Sequence, residues 1–406
     1  MVVRKWYSLA DKVWNPQNLA RAAAAVLSNQ GSPGVDHQSC GHFAEHLEEE
    51  LLDLGQALRE HRYHPAPVRR VYIPKPGTKK RRPLGIPTVR DRVAQQAVRQ
   101  ILEPIWEPTF SPDSYGFRPQ RSAQEAVQRL FGHLEEGYLW VVDADIQNFF
   151  GTIDQDLLVD QVAERVSDGT VLRWLREMLR AGVLEDGIQQ PTDVGTPQGG
   201  VISPLLANIY LDVLDQTMAT VPDVQYIRYA DDWVVLAKTE TAARQALAVA
   251  QTVVEASLHL TLHPEKTRVV DVRETSFDFL GFTFFWSKPG ESGRPLYGPK
   301  AEAVQRFKLR IRQETRRNRP INLELVIEDL IPVIRGWGQY FTISHTGQYY
   351  RLDAWIRERC RAFVAKRWNR SSALDRKWTN QRLQALGLPS LVVMRRKVMA
   401  QHPRPS

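Results

Sequence analysis

Two cysteines, Cys40 and Cys360, are too few and too far apart for a disulfide framework or a close-spaced zinc pair. That scarcity suits a reducing compartment, and a cytoplasmic setting is the expectation. Long apolar runs are also missing: nothing approaches the ~20 residues of a membrane-spanning helix, and the opening MVVRKWYSLADKVWNPQNLA has no apolar stretch of the secretory kind. No membrane partner is expected. Neither an internal repeat nor a low-complexity tract interrupts the first 290 residues. What is present is 43% hydrophobic residues in a chain of 406, ample for two or more packed cores, which excludes a disordered regulator. The formal net charge of +8 favours an acidic polymer as partner.

Apolar spacing places the elements. In HFAEHLEEELLDLGQALREH, Phe43, Leu47, Leu51, Leu54 and Leu58 recur at helical intervals and predict one amphipathic helix. RRVYIPKPGTKKRRPLGIP predicts a hairpin around a basic turn that carries Arg69, Arg70, Lys75, Lys79, Lys80, Arg81 and Arg82. LWVVDADI predicts a strand, and VQYIRYADDWVVLA predicts two strands meeting at Ala230 to Asp232. Between them Ser203 and Pro204 predict a helix start, a capping hydroxyl and then a first-turn proline, with Leu206, Ile209 and Val213 as the apolar face. Beyond residue 290 the composition turns first to proline and glycine and then to arginine. There Val304, Phe307 and Ile311 share one helical face and Arg306, Arg310 and Arg317 another. A later helix repeats the arrangement with Leu352, Ile356 and Phe363.

Asp231 and Asp232 are the anomaly. Like charges in an apolar hairpin raise each other's pKa or demand a compensating cation. A divalent metal supplies one: magnesium takes hard oxygen ligands, and two ions about 4 Å apart serve phosphoryl transfer. The bland alternative is a polar turn. A third acid is available at Asp143 or Asp145, which strand alternation puts on the same face, so periodicity does not choose between them.

The motifs together resemble reverse transcriptases. YADD between two apolar strands looks like their catalytic hairpin, and DIQNFF looks like their first acidic motif, which selects Asp145 over Asp143. GTPQGGVISPLLANIYLD resembles the substrate-helix motif, LHPEKT the lysine motif near the incoming nucleotide, and FDFLGFTF the primer-grip hairpin. Narrower still, IPKPGTKKRRPLGIPTVRDRVAQQAV, SYGFRPQRSAQEAV and PVIRGWGQYF are similar to bacterial group II intron-encoded reverse transcriptases, which also act as maturases. The resemblance covers nearly the whole chain in the family's order. Two departures are Gly151 and Gln155, where the family usually has an acid and a histidine.

The resemblance implies an α+β right-hand polymerase: an N-terminal extension and fingers over 1–110, a palm with an antiparallel sheet over 111–290, and a helical thumb and maturase domain over 291–406. It implies that Asp145, Asp231 and Asp232 hold two Mg2+ ions, with Mn2+ as a substitute. Lys75, Arg82, Gln198 and Lys266 are implied to meet the nucleotide, and Phe150 to exclude a 2′-hydroxyl, while Phe149 is core. Arg306, Arg310 and Arg317 are implied to grip RNA, and Trp337 and Tyr340 either pack in the thumb or stack on nucleotides. NQGSPGVD looks like the family's template-contacting segment, and its prolines and glycines are equally those of a surface loop. The partners implied are group II intron RNA, an RNA template with its DNA primer, a DNA target and deoxynucleotides. The chain ends soon after the thumb, like the short group IIC form without a nuclease. The rivals are a splicing cofactor that no longer polymerises and a reverse transcriptase domesticated for defence or repair.

Overall fold

The computed structural model describes residues 5–74, 81–185, 187–192, 194–196, 199–287, 293–344, 347–368 and 377–401. Two compact units emerge, residues 1–126 with 140–269 and residues 127–139 with 270–406. Both mix or flank helices with antiparallel sheet, the α+β class expected. Among the described residues no helix is long and apolar enough to cross a membrane.

The first unit contains strands β1 (Val68–Pro74), β2 (Arg81–Ile86), β3 (Trp140–Asp145), β4 (Val183–Glu185), β5 (Ile188–Gln190), β6 (Val224–Tyr229) and β7 (Asp232–Ala237). β1 and β2 form the expected hairpin, paired from Arg69 with Ile86 to Pro74 with Arg81; the turn bearing Lys75 lies outside the described residues. β4 runs parallel to β1 and carries β5 at the edge. The central sheet has β7 between β6 and β3, all antiparallel. In WVVLA every side chain of β7 is buried, because both faces are covered. The helix Glu240–Thr252 packs on β3 and β7 through Ala243, Ala246 and Ala250, whose small side chains permit close approach. Trp233, Val235, Val142, Leu205, Leu206 and Ile209 belong to the same core.

The second unit opens with a hairpin of Phe277–Phe279 and Phe282–Trp286, joined through Leu280 at φ +48 and Gly281 at φ +79. Paired positive φ values make this the twisted turn that suits a tight hairpin. The helices Ala301–Glu314, Leu323–Phe341 and Gln348–Trp368 then bury Phe307, Ile311, Ile334, Leu352, Ile356 and Phe363 in a separate core. Asp353 ties the helix Leu391–Gln401 to this core, accepting from Ser390 Oγ at 2.6 Å and the Leu391 amide at 2.9 Å.

Local differences from expectation have local causes. The predicted helix around Phe43 is two helices, Cys40–Glu45 and Leu47–Arg59, because His46 leaves helical geometry at φ −115 and ψ 25. Ser203 is the first residue of the helix Ser203–Met218 rather than its cap, which falls on Ile202. Pro204 does occupy the first turn, and Val213 faces solvent while Asp215 is buried. The arginine-bearing helix ends at Glu314, so Arg317 lies beyond it and not on its face.

Candidate active site

β6 and β7 turn over through Ala230 and Asp231 alone. Ala230 adopts φ +57, a left-handed conformation that a non-glycine residue rarely takes. Across the sheet Asp145 pairs with Asp232, whereas Asp143 pairs with Val234. The register therefore brings Asp145 to the turn and leaves Asp143 further along the strand, where Arg268 binds its carboxylate at 3.2 Å. Asp145, Asp231 and Asp232 thus share one end of the central sheet.

Their electrostatics reflect that crowding. Asp232 keeps solvent access at the mouth of the turn but is enclosed on its other sides. This burial, with Asp231, Asp145 and Asp143 adding their charges, pushes its carboxyl up to about 7, while Lys266 opposes the rise. Burial also raises Asp231, against its own backbone amide and Arg82, with Asp145 adding to the rise. Hard carboxylate oxygens crowded at one point, where burial and mutual repulsion disfavour the charge of Asp231 and Asp232, are donors that a divalent cation would fit by supplying the missing positive charge. Among the described residues no three His, Cys, Asp or Glu side chains are drawn together as a ready-made ligand set; Asp145 is instead bound by Lys266.

Lys266 reaches Asp145 because its loop docks on the end of β3. The His263 amide donates to the Asp145 carbonyl at 2.7 Å, and the Lys266 and Thr267 amides fold back onto the His263 carbonyl. Arg82, near the start of β2, is close enough for its charge to stabilise ionised Asp231. Phe150, half-buried, lies edge-on to Phe149 and to Phe117, with ring centroids 5.1 and 6.5 Å away. Phe149 is core. The backbone of Phe150 also receives the glycine-rich loop: the Thr196 amide donates to its carbonyl at 2.7 Å.

Gln198 lies outside the described residues, but its neighbour Gly199 is informative. At φ +119, a Cβ there would sit 2.5 Å from the Gly85 carbonyl oxygen. The close backbone contact that this glycine permits is with β2 of the same chain. Gln155, at the position where the resemblance suggests histidine, is buried and donates to the carbonyls of Leu179, Thr192 and Gly195 at 3.1, 3.1 and 2.8 Å. It holds the glycine-rich loop and faces no solvent.

Sequence reasoning passed over the residues behind the turn. Arg228 is wholly buried in β6. Its Nε and Nη2 donate to Asp215 at 2.6 and 2.5 Å, and Nη1 donates to Asn208 Oδ1 at 3.0 Å and to the Ala230 carbonyl at 2.9 Å. Asn208 in turn donates to the Gly116 carbonyl at 2.9 Å. The available signal was a lone cation in an apolar strand and an acid on the apolar side of a helix.

Asp212, one turn from Asp215, supplies a pH test. Burial, and then the Asp215 charge, pushes its carboxyl from 3.8 up to about 6. The folded chain therefore holds a proton that the unfolded chain has lost, and stability declines as pH rises from about 4 to about 6. Asp212→Asn removes that penalty. Thermal melts should show the variant roughly 2–4 °C more stable than wild type at pH 7 and equal to it at pH 4; an equal gain at both pH values would refute the assignment.

In the second unit Arg306 and Arg310 are exposed on the helix Ala301–Glu314, and Arg310 also pairs with Glu314 at 2.8 Å. Lys308 and Arg312 lie over the Trp355 ring at 5.8 and 5.7 Å. Burial and then the charges of Arg317 and Arg312 lower the pKa of Arg359, so cations converge here. Trp337 stacks on Phe307 with centroids 4.5 Å apart, and Tyr340 donates to the Leu280 carbonyl at 2.8 Å. Both aromatics are packed within their unit.

The profile described as reverse transcriptase (RNA-dependent DNA polymerase) matches residues 73–284, and that of the group II intron maturase-specific domain matches residues 304–384. Protein YkfC of Escherichia coli (strain K12) is 37% identical over 308 residues, 66% of this chain and 80% of its own. Group II intron-encoded protein LtrA of Lactococcus lactis subsp. cremoris is 46% identical over 196 residues, 47% of this chain but only 32% of its own. A chain of a partial Cas6-RT-Cas1--Cas2 complex matches 62% of this chain and 43% of its own at 23% identity, with a TM-score of 0.39, too loose a likeness to bear on function. This chain belongs to the reverse transcriptase family, RNA-directed DNA polymerases, and carries a group II intron maturase-specific domain behind the polymerase region.

Proposed function

We propose that the protein extends a DNA primer on an RNA template with deoxynucleotides, and that it binds group II intron RNA to assist splicing and mobility. The observation that carries the polymerase reading is the register that sets Asp145 opposite Asp232 beside the Ala230–Asp231 turn. Asp145, Asp231 and Asp232 would hold two divalent cations, Mg2+ with Mn2+ as substitute. Bound there, the cations supply the positive charge that activates the attacking hydroxyl and stabilises the leaving oxygen.

The chain's own residues do the rest by position and charge. Lys266, which already faces Asp145, and Arg82, which faces Asp231, would neutralise the triphosphate. Lys75 and Gln198 are proposed for the same nucleotide from the sequence resemblance. Phe150, braced by Phe149 and Phe117, would lie under the sugar and exclude a 2′-hydroxyl. Arg306, Arg310 and Arg317, with the convergent Arg312 and Arg359, would contact RNA phosphates, and that binding should weaken steeply with salt. In functional terms 1–110 would serve as N-terminal extension and fingers, 111–290 as palm and 291–406 as thumb and maturase domain.

Primer extension on an RNA template tests this reading. With Mg2+ and deoxynucleotides, full-length cDNA is expected, and ribonucleotides should be used poorly. Phe150→Ala should raise ribonucleotide incorporation by roughly 10- to 100-fold while leaving deoxynucleotide use within a few-fold. No extension by folded wild-type protein that still binds RNA would leave the splicing cofactor as the better reading.

A further inference from the structure

We propose that Arg228 is a positioning residue for the polymerase reaction: its hydrogen bond to the Ala230 carbonyl holds the turn that aims Asp231 and Asp232. The inference rests on the reading of those aspartates as the acids that hold the cations.

Arg228 and Asp215 both have fully buried side chains. A buried ion pair is weak support for stability, since apolar residues of similar size often serve as well. What apolar residues do not supply is a donor at a fixed point. The guanidinium is a rigid planar fork. With Nε and Nη2 taken by the Asp215 carboxylate, the direction of Nη1 is set by the helix Ser203–Met218. Nη1 meets the carbonyl of Ala230 at 2.9 Å, on the residue whose φ of +57 is unfavourable for alanine and needs outside support. Asn208 closes the arrangement, accepting from Nη1 at 3.0 Å and donating to Gly116 at 2.9 Å, in the loop behind the turn. The Tyr115 amide donates to the Arg228 carbonyl at 2.8 Å, and the Arg228 amide to the Asp113 carbonyl at 3.0 Å. The loop is thus tied to the Arg228 main chain, while the Arg228 side chain joins the helix, through Asp215 and Asn208, to the Ala230 carbonyl of the turn.

The decisive variant replaces the pair together, Arg228→Met with Asp215→Leu. No buried charge is left unpaired, so the protein should fold, but the donor to Ala230 is gone. The expected result is a melting temperature close to wild type, a kcat for primer extension reduced roughly 10- to 100-fold, and a nucleotide KM within about twofold. Mn2+ binding, followed by electron paramagnetic resonance without nucleic acid, should weaken roughly tenfold, the size of change that a misaimed ligand produces. A folded double variant with wild-type kcat and Mn2+ binding would overturn the proposal. Arg228→Lys serves if the double variant does not fold, because it keeps a charge opposite Asp215 but loses the fork; it too should be slow, and a full-rate Lys variant is equally fatal. If neither variant folds, Arg228 serves the fold alone and the assignment is withdrawn. Wild-type protein in the same assay keeps the two readings apart: its failure removes the polymerase reading, whereas equal rates in wild type and variant remove only this one.

Discussion

Asp231→Asn should abolish cDNA synthesis, with the rate at least roughly 10^3-fold below wild type, while the folded protein and its RNA binding survive. Asparagine keeps the size of the side chain and its place in the turn but removes the negative charge. Because burial and the nearby Asp145 already disfavour ionised Asp231, the substitution relieves repulsion in the metal-free protein. The melting temperature should therefore hold or rise. That combination separates chemistry from folding: a structural residue loses stability and activity together, whereas this one should lose activity alone. Asp145→Asn should behave likewise, and it also deprives Lys266 of its carboxylate partner. A folded Asp231→Asn protein that makes full-length cDNA with Mg2+ would end the assignment of this turn as the cation site.

The apolar pattern made much of the fold legible. The β1–β2 hairpin, β3, the β6–β7 pair and the helix carrying Phe307 and Ile311 all lie where alternation and helical spacing put them. Pattern alone could not choose between Asp143 and Asp145, since both occupy one face of β3. The choice depends on which residue stands opposite the turn, a long-range pairing of Asp145 with Asp232 that local periodicity does not encode. Arg228 and Asp215 were invisible for a related reason. They are 13 residues apart, and each looks like an ordinary charge until the helix and strand pack together and bury both. The break at His46 and the capping position at Ile202 depend on backbone angles that side-chain pattern leaves open. Gln155 was noticed only as a departure from a resembled motif; its three backbone acceptors come from segments far along the chain.

Gly116→Ala should be strongly damaging to the first unit. The residue sits in the SYGFRP loop directly behind the turn. A Cβ added there would lie 2.8 Å from the Tyr229 carbonyl carbon and closer still to the Ala230 amide nitrogen. These are backbone atoms of the hairpin, with no flexible side chain to swing aside. The hairpin is itself pinned, through Arg228 to Asp215 and through the Tyr115 amide to the Arg228 carbonyl at 2.8 Å. Relief must come from moving the loop or the turn, and moving the turn moves Asp231 and Asp232. The expected cost is about 2–4 kcal/mol in denaturant unfolding, with polymerisation reduced by more than the loss of folded protein explains. Gly132→Ala provides the contrast: nothing lies within 4 Å of a Cβ there, and the residue is inside the helix Ala123–Glu135. Alanine should stabilise that site by roughly 0.5–1 kcal/mol, so the two substitutions, chemically identical, should shift stability in opposite directions. If Gly116→Ala proved neutral in both stability and rate, the loop would not be in contact with the Ala230–Asp231 turn, and the network linking Gly116, Asn208 and Arg228 would lose its support with it.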